Sequence, residues 1–115
     1  MFRVYTRPMS DARTLYREAF QHFANDRLDE AIEGYKKAIE ADEAFSLAWN
    51  GLSLAYRNKG DLDGAIAAAK KLVELEPDDP LSHSNLSILY QSKGMIPEAE
   101  DAMAKSGELE RKEKT

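Results

Sequence analysis

The sequence contains no cysteine, which removes disulfide staples, thiolate metal sites and thiol nucleophiles together. A chain without thiols tolerates either redox state, so the compartment stays open on this ground. An excess of basic residues is missing too. Lysine and arginine number 16 against 21 aspartates and glutamates, for a formal net charge of −5. Phosphate binding rests on clustered Lys and Arg, so no nucleic-acid partner is expected. No apolar run approaches the ~20 residues that span a bilayer, and no membrane partner is expected. The opening residues Met1-Phe2-Arg3-Val4-Tyr5-Thr6-Arg7-Pro8 lack the long apolar core of a signal peptide. A cytoplasmic protein is the expectation. The glycines are scattered, with no G-x-G-x-x-G or phosphate-loop pattern among them, so no nucleotide or other cofactor is expected.

What the chain does contain is a repeat. Ala31, Ala65 and Ala99 stand 34 residues apart, and slot after slot around them returns in kind. Leu28, Leu62 and Ile96 precede the alanines by three, and Asp26, Gly60 and Gly94 by five. Lys37, Lys71 and Lys105 follow by six, and Glu40, Glu74 and Glu108 by nine. Upstream, Ala19, Ser53 and Ser87 align, as do His22, Tyr56 and Tyr90. A period of 20–50 residues is the mark of a stacked repeat architecture.

Inside each unit the apolar spacing is helical. Trp49, Leu52 and Tyr56 follow an i, i+3, i+7 course, and Leu62, Ala65, Ile66, Ala69, Leu72 and Val73 do the same. Gly60-Asp61 joins a helix-ending glycine to an N-capping aspartate, and Asp79-Pro80 supplies an N-cap and first helical residue. The pattern predicts six helices, near about 11–24, 28–41, 45–58, 62–75, 79–92 and 96–110. Connections of a few residues make each pair antiparallel.

These residues resemble the tetratricopeptide repeat (TPR) family, whose pattern is W-x2-L-G-x2-Y, then A-x3-F, then P. The middle unit reads Trp49-x2-Leu52-Ser53-x2-Tyr56, Ala65-x3-Ala69, Pro77. The first keeps Ala19, Phe23, Ala31 and Tyr35, and the third Leu86, Tyr90, Ala99 and Met103. Departures are Glu18 and His22 in apolar slots, His83 in the tryptophan slot, and Ser106-Gly107 late in the third unit. The resemblance implies an all-α, right-handed superhelical α-solenoid of three helix–turn–helix pairs. One domain is expected over residues 11–113, with repeats at about 12–45, 46–79 and 80–113, after an extended arm at 1–10.

Catalysis finds little support. Glu18 and His22 are four apart on one helix, but a metal or acid–base site needs a third group and a concave setting. An i, i+4 pair at the start of the stack accounts for them, at a few tenths of a kcal/mol. His83 reads as a spacer or as a hydrogen-bonded substitute for the missing aromatic. The acidic clusters lack calcium-loop spacing. No enzyme activity and no metal are expected.

In the resembled family the first helix of each pair lines a concave binding surface. Carried over, that lining is Arg13, Tyr16, Arg17 and Phe20; then Leu47, Asn50, Leu54 and Arg57; then Leu81, Ser84, Asn85, Ile88 and Gln91. Apolar side chains on a face that would otherwise be wet mark an interaction site; the alternative is that some of them pack between neighbouring first helices. A protein or peptide partner with an apolar or amphipathic helical segment is therefore expected. Some family members resemble carboxylate clamps, which grip acidic chaperone C-termini with lysine, asparagine and arginine. The matching slots here hold Tyr16, Phe20, Gly51, Leu81 and Asn85, so no carboxylate-clamp chaperone peptide is expected.

The two ends raise a second reading. No seventh amphipathic segment follows the third unit, and Leu89, Met103 and Leu109 are expected at an open end that either is polar enough to stay bare or is covered by a second copy. Phe2, Val4 and Tyr5 alternate with basic residues before Pro8. They read either as a frayed tail or as an arm docking against Phe20, Leu54 or Ile88. Homo-oligomerisation through these elements is the alternative to groove binding.

Overall fold

The computed structural model describes residues 9–114, with side chains from Asp11 onward. Six helices follow in order: α1 (Met9–Ala24), α2 (Leu28–Ala41), α3 (Ser46–Lys59), α4 (Leu62–Leu75), α5 (Pro80–Lys93) and α6 (Ile96–Glu113). α6 runs past the expected end near 110, and no strand occurs among the described residues.

The same local chemistry closes each hairpin. Gly60 and Gly94 end α3 and α5 in the left-handed region at φ 91° and 83°, where a residue without Cβ carries no steric penalty. Asp26 holds the matching slot at φ 61°; aspartate is among the few other residues that visit this region. Behind each, the next amide donates back to a carbonyl five residues earlier: Arg27 N to His22 O, Asp61 N to Tyr56 O and Met95 N to Tyr90 O, at 2.8, 2.9 and 2.8 Å. The Asp61 carboxylate accepts from Gly64 N at 2.9 Å, and that of Asp79 from Leu81 N at 3.0 Å. Each aspartate thereby satisfies an amide that the helix leaves without a partner.

Packing alternates between contacts within a pair and contacts between pairs. α1 packs on α2, α3 on α4 and α5 on α6, while α2 also packs on α3 and α4 on α5. One buried cluster joins the first two pairs through Ala19, Ala31, Ile32, Tyr35, Leu52, Ala55 and Ala68. Another joins the second and third through Ala65, Ile66, Ala69, Leu86 and Leu89. The result is an elongated stack of 58 × 35 × 19 Å, an all-α solenoid.

Hydrogen bonds repeat at the same interval. Ser53 Oγ donates to Ala65 O at 2.9 Å, and Ser87 Oγ to Ala99 O at 2.7 Å, both buried. Trp49 Nε1 donates to Glu43 O at 2.9 Å, and His83 Nε2 to Pro77 O at 2.8 Å. His83 thus makes the bond of the indole it replaces. Across the pairs, Lys59 meets Asp29 and Lys93 meets Asp63. Such exposed ion pairs contribute about 0–1 kcal/mol each.

The open-end reading needs correction. Leu89 is 3% and Leu109 5% exposed. Leu89 lies inside the cluster shared with α4, and α6 continues another turn beyond Leu109, whose side chain lies beside Asp78 of the α4–α5 connection. Met103 alone of the three is exposed. Polar substitution does the rest: Glu100 stands in the slot of buried Ile32 and Ile66, and Gly107 in that of Ile39 and Val73. Phe2, Val4 and Tyr5 lie outside the described residues.

Candidate functional site

α1 touches α3 directly. On the other side of the stack, a cleft of ≈ 530 Å³ opens between α2 and α4 beside Trp49. α1 and α3 thus meet on one side while a cleft parts α2 and α4 on the other; the face of α1, α3 and α5 turned away from that cleft is the inner face.

The repeat sets this inner face out in rows. Leu47 and Leu81 share one slot, and Phe20, Leu54 and Ile88 share another seven residues along. Seven residues are about two helical turns, roughly 10 Å. Phe20, Leu47, Leu81 and Ile88 are 49%, 52%, 66% and 44% exposed, and Leu54 is half-buried. Between the rows stand half-buried Asn50 and Ser84 and exposed Asn85. Polar groups beside two apolar rows can hydrogen-bond a backbone while side chains settle on either row.

Charge is distributed unevenly. Arg13, Arg17 and Arg57 are exposed and form no ion pair with a described carboxylate. Neither α3 nor α5 contains an acidic residue, although the whole chain is acidic. Gln91 is exposed near the end of α5. The inner face is therefore locally basic, except at one edge. There a cleft of ≈ 240 Å³ brings Leu47, Asn50, Leu81 and Asn85 together with Glu76 and Asp79. Reading the first helices alone missed those two carboxylates, because they come from the end of α4 and the connection after it. Their repeat position, just before each first helix, was the available signal.

Tyr16 behaves differently from its neighbours. Its ring packs 5.7 Å from Tyr35 and 5.6 Å from Phe45, edge-on to the latter, and stacks 6.4 Å from Phe20. It anchors the first pair to the second and offers only part of its surface to the inner face. Burial, with Tyr16 adding to it, pushes the Tyr35 hydroxyl up to about 12. No group of three or more metal-ligating side chains occurs among the described residues, and no described helix is long and apolar enough to cross a membrane.

Two family descriptions match the chain, a tetratricopeptide repeat over residues 12–45 and a TPR repeat over 53–94. The chain is a tetratricopeptide repeat protein. Among solved structures, a crystal structure of MamA is similar at TM-score 0.85 and 27% identity, covering 89% of this chain and 60% of that one. This TPR chain thus spans under two thirds of the MamA chain. The first TPR of Spaghetti (RPAP3), bound to the HSP90 peptide SRMEEVD, is similar at TM-score 0.83 and 21% identity over 90% of this chain and 82% of that one. A chain of the CopN–Scc3 complex follows at TM-score 0.80 and 20% identity, over 84% and 57%. The last two likenesses carry the fold alone. No curated protein matches the sequence. Tetratricopeptide repeats are in general protein-interaction modules.

Proposed function

We propose that this TPR stack is a non-catalytic module holding an apolar or amphipathic segment of another protein against α1, α3 and α5. The observation that carries the reading is the pair of exposed apolar rows, Leu47–Leu81 and Phe20–Leu54–Ile88, in one register on successive helices. Large apolar side chains on a wet face cost solubility unless a partner covers them. Arg13, Arg17 and Arg57 suit a segment with acidic residues among its apolar ones, and Asn50, Ser84, Asn85 and Gln91 would fix its register.

The partner's acidic groups are read as side chains, not as a chain terminus. Spaghetti (RPAP3) is seen with an HSP90 peptide, but here the clamp slots hold Tyr16, Phe20, Gly51, Leu81 and Asn85. Self-assembly through the end of the third unit loses support, since Leu89 and Leu109 are covered within the chain.

The test is affinity capture with the wild type beside Phe20→Ala/Ile88→Ala, both side chains being half exposed. The expected outcome is a protein retained by the wild type at least tenfold better, with the double variant's helical circular dichroism and melting temperature unchanged. Equal retention by both would exclude the groove.

A further inference from the structure

The flank of the first pair carries an inference separate from the groove. In the second and third pairs, Trp49, Leu52 and Tyr56, then His83, Leu86 and Tyr90, belong to the face that presses on the preceding pair. In the first pair those slots hold Leu15, Glu18 and His22. No described pair precedes them, and a cleft of ≈ 400 Å³ remains open there between α1 and α2.

The cleft has an apolar floor and an acidic rim. Leu15, Ala19 and Gly34 form the floor, and Glu18, Glu30 and Glu33 stand around it. Asp29 also borders it but is engaged by Lys59, and His22 and Lys37 complete the lining. Three carboxylates over apolar ground call for a ligand that is both cationic and apolar.

We propose that this cleft docks the chain's own segment Phe2-Arg3-Val4-Tyr5-Thr6-Arg7, which lies outside the described residues. The segment alternates apolar and cationic side chains, matching floor and rim. Reach is sufficient. Glu18 lies about 14 Å along α1 from its first residue, and six extended residues cover roughly 20 Å. The inner face is the poorer dock, because α1 presents Arg13 and Arg17 there, and like charges repel. Docked there, the segment covers the flank of the first pair and leaves Phe20, Leu54 and Ile88 to the partner.

The full chain tests this with three variants: Arg3→Glu/Arg7→Glu, Glu30→Lys/Glu33→Lys, and the two combined. Each reversal alone is expected to lower the melting temperature by roughly 3–6 °C at low salt, and the combination to recover at least half of that loss. In the arginine variant, the amide signals of Leu15, Ala19 and Gly34 should shift while those of Leu54 and Ile88 stay in place. Unchanged melting in the arginine variant, or additive losses in the combination, would overturn the dock. Shifts centred on Leu54 and Ile88 would return the segment to the groove. A mass that doubles with concentration in the wild type, but not in the arginine variant, would place it on a second copy.

Discussion

The ring of Tyr35 fills the space where a side chain at Gly51 would stand. A Cβ built on Gly51 would come within 2.5 Å of Tyr35 Cε1 and Cζ. The ring is 1% exposed and held on its other side by Tyr16. This contact brings α3 onto α2 and binds the first pair to the second.

Gly51→Ala is therefore expected to destabilise. Helix propensity alone favours alanine by about 1 kcal/mol, but overpacking a filled core costs typically ~1–3 kcal/mol, and Tyr35 has nowhere to move. Gly107→Ala is the matched control. There the nearest atom to an added Cβ is the Arg111 guanidinium at 3.6 Å, so a gain of up to about 1 kcal/mol is expected. Urea melts of the two variants should move in opposite directions.

The serine bonds predict a graded series. Ser53→Ala and Ser87→Ala each remove a buried hydroxyl bond to a helix carbonyl, at a cost of about 1 kcal/mol each. The two sites lie one repeat apart and share no partner, so the double variant should show the sum. Ala19 already stands in the matching slot of the first unit, which forms without such a bond. A double variant as stable as the wild type would remove the serines from the stabilising interactions.

His83 should accept tryptophan better than phenylalanine. Trp49 and His83 each donate a ring N–H to the carbonyl six residues back. His83→Phe leaves the Pro77 carbonyl without that donor and should cost about 1 kcal/mol. His83→Trp restores a donor in the geometry that Trp49 uses. Equal denaturation midpoints for the two variants would show that the hydrogen bond contributes nothing.

Alkaline stability should carry a signature of Tyr35. Its folded value is raised from 10.0 to about 12, so above pH 10 the unfolded chain releases this proton first. The contribution is fully present below pH 10 and is lost as pH rises towards 12. By linkage the loss approaches ~2–3 kcal/mol. Tyr35→Phe should remove this part of the pH dependence between 10 and 12, as read from denaturation midpoints across that window.

Much of the architecture was legible because its causes are local. Gly60-Asp61 and Asp79-Pro80 end and start helices through bonds that close within a few residues, and apolar periodicity marks each helix without reference to its neighbours. Of the candidate site, the sequence shows the alignment of Leu47 with Leu81 and of Phe20 with Ile88, and all four side chains are exposed. The failures were failures of coverage. The pattern points Leu89 and Leu109 at an open end because it shows which side of a helix is apolar, not how far the next element extends over it. Tyr16, aligned with the groove, belongs to it only in part, because two rings from α2 and the α2–α3 connection enclose it.

The sequence by itself determined six helices, their three pairs and the repeat that stacks them, since i→i+4 hydrogen bonds, caps and short connections act within one or two turns. Only the tertiary structure decided what each face meets. It put Tyr35 against Gly51, sank Leu89 among the residues of α4, brought Glu76 and Asp79 to the edge of the inner face, and left an acidic cleft beside Glu18. Burial depends on side chains a repeat or more away, and no local pattern contains that distance.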